Sequence, residues 1–280
     1  MSILDQQITP RVKLLDKHPV WVFYVLTFVV SWGVWIPLGF VYRASTRLPA
    51  WVVILATIAG TAPALVSIIL TGLTDGIAGI KRLFRQLLKW RFGWKWYSVV
   101  ILAPAGVYLA ALGIYLLLGG STPEIIWTKA VLVLLAFVTT LPVTLAEELG
   151  WRGYALPRLL TRHNALISSV LVGVLWAGWH LVGYLIPNPL VKSDTPLFFF
   201  FINTVAFSIL ITWVYNNTGG SLLGSVLFHA SMNTTIGFFT NAMPVASNVH
   251  FELRTILLSM VACTVIVLFG VRGFTRQHNR

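Results

Sequence analysis

Residues 142–152 read Pro142-Val143-Thr144-Leu145-Ala146-Glu147-Glu148-Leu149-Gly150-Trp151-Arg152. The stretch sets two adjacent carboxylates in a segment otherwise apolar enough to enter a bilayer. Only eight of 280 residues are acidic. A carboxylate at bilayer depth costs at least ~2.5–3.5 kcal/mol on insertion scales, so such groups are paired, water-lined or functional. Outward from this point, two further apolar segments supply His180 and His229, and Asn233 follows His229 by four positions.

The surrounding composition defines the solvent. Hydrophobic residues make up 57% of the chain and charged residues 10%, and apolar runs of spanning length recur from end to end, as in a polytopic membrane protein. The runs lie near 20–42, 50–73, 96–119, 127–147, 164–186, 196–216, 219–240 and 254–271, which predicts an all-α transmembrane bundle of about eight helices. Barrel strands would alternate apolar and polar positions, whereas Val20 to Val30 and Leu257 to Gly270 are apolar on nearly all sides. Residues 1–18 are polar and mixed in charge with no short apolar core behind them, so no removable signal peptide is expected. Without internal repeats or a long linker, residues 1–280 form one membrane domain with its motif core at 142–240.

A net charge of +12 could point to nucleic acid, but its distribution argues for topology instead. With the N-terminus in the cytoplasm, fifteen Lys and Arg fall on inner segments and five, Arg43, Arg47, Lys129, Lys192 and Arg254, on outer ones. Both termini are therefore expected in the cytoplasm and no nucleic-acid partner is expected. Around 76–95, Ile80, Leu83, Phe84, Leu87 and Leu88 recur at helical spacing between Lys81, Arg82, Arg85 and Lys89, which predicts a helix on the inner surface held by anionic lipid. Cys263 is the single cysteine, which excludes an intrachain disulfide, multi-Cys zinc sites and CxxC redox chemistry.

The chemistry starts from the hairpin of the fourth and fifth spans. A polar turn around 161–164 makes Glu147 and His180 equidistant from position 163.5, so the two are expected at similar depth. Glu148 and Arg152 are four apart on one helix face and can form an ion pair. Glu147 points about 100° away with no cation at matching spacing, which makes it the candidate proton-transfer group. Trp176 sits one turn before His180, where it could restrict the imidazole. Ser221 and Ser225 extend the face of His229 and Asn233 backwards as a polar stripe suited to a wet cavity.

Together these residues resemble the CPBP intramembrane proteases, which include the CAAX prenyl proteases and bacteriocin-processing or immunity proteins. The family's EExxxR is matched by Glu147, Glu148 and Arg152, its aromatic-xxxH by Trp176 and His180, and its HxxxN by His229 and Asn233. Trp176 stands where phenylalanine is common. The resemblance implies an intramembrane endopeptidase that hydrolyses a peptide bond near the cytoplasmic side with glutamate-activated water. In that scheme Glu147 activates water, His180 orients it, and His229 with Asn233 stabilises the oxyanion. It equally implies a zinc version in which His180, His229 and Glu147 hold the metal. The absence of HExxH and the rarity of Asn as a zinc ligand favour the metal-free version. The expected partners are a peptide or membrane-protein substrate and the lipid bilayer of a bacterial cell membrane. A non-catalytic scaffold or immunity protein and a proton-coupled transporter stay open as alternatives. A serine nucleophile at Ser225, one turn before His229, leaves Glu147 unexplained and lacks a GxSxG elbow.

Overall fold

The computed structural model describes residues 15, 17–42, 47–186, 196–245 and 248–275, with residues 248 and 249 described by backbone alone. Most of the polar segment 1–18 lies outside the described residues, as do Arg11, Lys13, Arg43, Lys192, Arg276 and Arg280 of the charge pattern. Among the described residues there are eight helices long and apolar enough to cross a membrane and no strand. The protein is a multi-pass helical membrane protein, as its hydropathy predicts.

In chain order the helices are α1 (Pro19–Val41), α2 (Ala50–Gly60), α3 (Ala62–Arg85), α4 (Trp94–Leu117), α5 (Trp127–Ala130), α6 (Val133–Glu148), α7 (Leu156–Leu160), α8 (Ala165–Trp179), α9 (Val182–Leu185), α10 (Leu197–Asn217), α11 (Leu222–Asn241) and α12 (Asn248–Phe269). The second span is not the expected 50–73. Pro63 has no N–H to continue the ladder, so α2 closes at Thr61 and the crossing helix is the following one, Ala62–Leu88. The carbonyl of Ala59, four residues before Pro63, instead accepts the Ser31 hydroxyl of α1 at 2.8 Å.

The surface helix expected over 76–95 is the cytoplasm-predicted end of α3. It breaks helical geometry at Gly76 (φ 62°) and closes in one 3-10 turn, Gln86–Leu88. The chain then leaves the helix at Lys89 and turns at Gly93 (φ 86°) into α4, so residues 89–95 do not continue it. Of the apolar stripe, Leu83 is buried against the bundle while Phe84 and Leu88 are exposed.

The fourth span also starts later than expected, at Val133, and continues past Glu148 to Leu160. Its extension is unusual: Leu149–Ala155 forms a π-helical segment in which all seven residues are buried. Such wide turns are rare and concentrate at functional sites. The turn to α8 falls at 161–164 as expected, and Asn164 caps α8 by accepting from the Ile167 N–H at 2.9 Å. Inside the bundle α8 packs on α10, α11 on α6 and α4, and the π segment on α3.

Glycine permits the last of these contacts. A Cβ on Gly150 would lie 2.6 Å from Pro63 Cβ and 2.7 Å from the Pro63 carbonyl oxygen, both rigid groups of α3. Gly150→Ala is expected to destabilise the fold by ~1–3 kcal/mol through overpacking. Gly106→Ala on α4, where the added carbon meets nothing within 4 Å, serves as the neutral control. Thermal unfolding of the two variants in detergent measures the difference.

Candidate active site

Glu147 and Glu148 end the α-helical part of α6, halfway along its span, and the two carboxylates face different partners. Glu148 is fully buried. Its Oε1 accepts from Arg152 Nη1 at 2.9 Å, so the pair expected from the i,i+4 spacing is formed, and both side chains are entirely shielded from solvent. Burial of this kind leaves an ion pair dependent on further hydrogen bonds. Arg152 finds one in Ser208 Oγ of α10 at 3.2 Å, and Ser208 in turn donates to the Ser169 carbonyl of α8 at 2.8 Å. The guanidinium also lies over the Trp176 ring, 4.8 Å from its centroid.

The same Glu148 oxygen receives His229 of α11, whose Nδ1 lies 2.9 Å away. A carboxylate only accepts, so Nδ1 carries the proton and a neutral His229 presents Nε2 as an acceptor. His229 is thus tied to Glu148, and Arg152, Glu148 and His229 form one buried cluster.

Glu147 has a different shell. Its Oε2 accepts from Trp176 Nε1 at 2.8 Å and from Trp151 Nε1 at 3.5 Å. Oε1 accepts nothing among the described residues, and no cation pairs with this carboxylate there. Two indoles thus orient one oxygen and leave the other for a water or substrate group.

His180 closes the other side. It terminates α8, and its backbone N–H bonds the Ala177 carbonyl in a 3-10 turn. The Trp176 carbonyl is thereby free to accept from the ring, with Nδ1 at 3.1 Å. A carbonyl also only accepts, so a neutral His180 likewise presents an unprotonated Nε2. Edge contact with Trp179 at 4.8 Å holds the ring, while Trp176 lies farther off at 6.3 Å. The end of α8 is itself fixed from α1, where Trp32 Nε1 donates to the Trp179 carbonyl at 2.9 Å.

Hairpin geometry places Trp176, rather than His180, opposite Glu147. Counting equal arms assumed α-helix throughout, whereas the π segment takes more residues per turn and changes the register. Trp176 is consequently the centre of the site: its N–H meets Glu147, its face meets Arg152, and its ring stands 4.9 Å from that of His229.

Asn233, one turn beyond His229 on α11, is half-buried, and its amide makes no hydrogen bond among the described residues. The polar stripe behind His229 serves packing instead of a wet cavity. Ser221 caps α11 through the Gly224 N–H and donates to the Lys89 carbonyl at 2.6 Å, and both Ser221 and Ser225 are fully buried. Ser225 Oγ bonds the Ser221 carbonyl at 3.4 Å rather than His229, which removes the serine-nucleophile arrangement.

The zinc set of Glu147, His180 and His229 is not gathered as a metal site. Among the described residues no three His, Cys, Asp or Glu side chains converge as one. Three participants had no role assigned from sequence. Trp151 follows Glu147 by four, the same spacing that relates Glu148 to Arg152, and could have been found by it. Ser208 and Trp32 reach the site only through tertiary packing and carry no local signal.

A sequence profile for the Rce1-like family, described as type II CAAX prenyl endopeptidase Rce1-like, matches residues 127–235, the stretch that carries every one of these motif residues. A protein named CAAX prenyl protease 2, from Methanococcus maripaludis, is 26% identical over 221 residues, which cover 75% of this chain and 81% of that protein. Both matches carry protease names and the profile covers the motif residues, so the chain is similar to the CAAX prenyl protease family there, with Trp176 at the aromatic position of the resemblance.

Trp176→Phe keeps the aromatic packing and deletes the shorter hydrogen bond to Glu147. Loss of a hydrogen bond to a charged group is worth ~1.5–3 kcal/mol. Peptide hydrolysis is expected to fall about 10- to 100-fold in kcat with KM little changed. Steady-state kinetics on a reconstituted sample measures this.

Proposed function

We propose that the protein is an intramembrane endopeptidase in which Glu147 activates the water that attacks a peptide carbonyl, near the cytoplasmic side of the membrane. One observation carries this reading. Of the two adjacent carboxylates, Glu148 is wholly shielded and has one oxygen held by both Arg152 and His229, its other oxygen buried without a partner, while Glu147 is aimed by two indole N–H groups and pairs with no cation among the described residues.

In this scheme the Glu147 carboxylate takes a proton from water as its oxygen attacks the carbonyl carbon, and returns that proton to the departing amine. The Nε2 of neutral His180 accepts from the same water and orients it, a role consistent with its Nδ1–H resting on Trp176. The tetrahedral oxyanion requires donors. Asn233 supplies its amide N–H, and His229 supplies Nε2–H when its ring carries both protons, with Nδ1–H on Glu148. Burial amplifies each of these contacts, because competing water is scarce. The substrate class is a peptide or the terminus of a membrane protein. By its name the archaeal relative acts on CAAX prenyl proteins, and a protein terminus held at the membrane is the reading that likeness supports here.

Glu147→Gln preserves shape and both indole contacts in part, and removes the base. Cleavage of membrane peptides in reconstituted vesicles is expected to drop at least ~10²–10⁴-fold, with thermal unfolding close to wild type. A Glu147→Gln protein that cleaves at the wild-type rate would sink the glutamate mechanism. Retention of cellular function by an inactive variant would mark a scaffold, and proton-coupled solute uptake without cleavage would mark a transporter.

The cytoplasmic orientation rests on the excess of Lys and Arg in the segments assigned to the inner side, which persists when Arg152 and Arg254, both within apolar spans, are left out. A fluorescent protein fused after Arg280 is expected to fluoresce and an alkaline phosphatase fused at the same point to stay inactive. The opposite pattern would reverse the topology and with it the side of cleavage.

A further inference from the structure

Away from the candidate site, α12 brings a second cation into an apolar span, and this one has no carboxylate. Arg254 lies one turn after His250, the first residue of the apolar stretch His250–Phe269. It lies in the second turn of α12, near the end of the helix that begins at Asn248. Its guanidinium rests between two rings, 3.8 Å from the centroid of Phe251 and 5.0 Å from that of Tyr108 on α4. Among the described residues it makes no ion pair or hydrogen bond, and its Nε is buried without a partner. Arg152, which is deeply buried, has oxygen and ring partners; Arg254, half-buried, has only rings among the described residues.

Two more polar groups at the same place are similarly unmatched. Tyr108 is 2% exposed, and its hydroxyl makes no hydrogen bond among the described residues. His250 is 4% exposed with Nε2 buried and unpartnered, its ring set against Tyr108 at 6.3 Å and stacked on Phe239 of α11 at 5.8 Å. A guanidinium, a phenol and an imidazole therefore converge between α4, α11 and α12; the imidazole has a backbone hydrogen bond at Tyr108, while its Nε2 and the Arg254 Nε are buried without a partner among the described residues.

Neither carboxylate toward this end, Glu124 before α5 or Glu252 on α12, forms an ion pair among the described residues. An arginine at the edge of an apolar span is ordinarily paired with an anion. At this depth, under the polar boundary of a bilayer, the anion within reach is the phosphate of a phospholipid, whose oxygens match the planar fork of arginine.

We propose that Arg254, Tyr108 and His250 form a binding site for the phosphate of an anionic phospholipid, at the end of the bundle where α12 begins. Arg254 grips the phosphate oxygens, the Tyr108 hydroxyl donates to one of them, and the rings of Phe239 and Phe251 flank the glycerol region. The site is separate from the catalytic residues, since none of its members touches Glu147, Glu148, His180 or His229. It reaches them only through α11, which carries both Phe239 and His229.

The test uses the full chain in detergent, titrated with phosphatidylglycerol, phosphatidylcholine or inorganic phosphate, with thermal unfolding and native mass spectrometry as readouts. Phosphatidylglycerol is expected to raise the unfolding temperature and remain bound. In Arg254→Gln its affinity is expected to fall about tenfold or more, as for loss of a bidentate charge-assisted contact. Tyr108→Phe is expected to lose less, and Arg162→Gln at the opposite end of the bundle none. Should Arg254→Gln fail to fold, Arg254→Lys keeps the charge without the fork and is expected to bind severalfold more weakly. Equal binding of phosphatidylglycerol by wild type and both Arg254 variants would overturn the proposal, as would equal effects of phosphatidylcholine. Competition by inorganic phosphate would overturn the assignment to a lipid.

Discussion

A guanidinium and a carboxylate that are both wholly shielded, Arg152 and Glu148, cannot be separated without stranding a charge in an apolar interior. Removing one partner of such a pair typically costs ~3–5 kcal/mol. The rest of the site is built to keep them together. Ser208 and Ser169 bring α10 and α8 to the arginine, His229 brings α11 to the carboxylate, and the Trp176 ring covers the guanidinium. Four spans therefore meet at one charge pair, and the positions of the reactive groups follow from it.

This arrangement gives the two glutamates separate duties. They are consecutive in sequence and chemically identical, yet a step of about 100° around the helix sends one into the ion pair and the other toward two indoles. Uncharged donors suit the second one. An indole N–H orients the Glu147 carboxylate without the full neutralising effect of a cation, whereas Glu148 is bound by Arg152 and His229. Both histidines are treated alike, each spending Nδ1–H on a fixed acceptor and presenting Nε2. Fixed tautomers remove one source of disorder from a site whose mechanism depends on proton positions.

Hydropathy and short-range spacing made much of this legible. Eight apolar runs led to the bundle because backbone polar groups in lipid must be satisfied internally, which leaves few architectures. The Glu148–Arg152 contact followed from i,i+4 neighbours on one helix. Three features were not legible for identifiable reasons. Pro63 inside a continuous apolar run moved the second crossing, because hydropathy does not register a missing N–H. The π segment shifted the register so that Trp176 faces Glu147, and no local pattern announces a change in residues per turn. The bond of His229 to Glu148 had no signal in either segment, because it joins residues 81 apart through the packing of α11 on α6.

The π segment also explains why small residues follow the acidic pair. A wide turn enlarges the local helix, and neighbours can approach only where side chains are absent. Gly150 lets α3 come within contact of the backbone at Pro63, and Gly153 does the same at Leu83. On the opposite side, Gly173 of α8 admits Ser208 Cβ and the Val205 backbone of α10, which is how Ser208 arrives at Arg152. Close backbone approach replaces the hydrophobic effect as the source of association between helices in lipid. The glycines beside the motif and the charges within it thus form one device: the first draw the spans near enough for the second to pair, and the pairing leaves Glu147 unpaired.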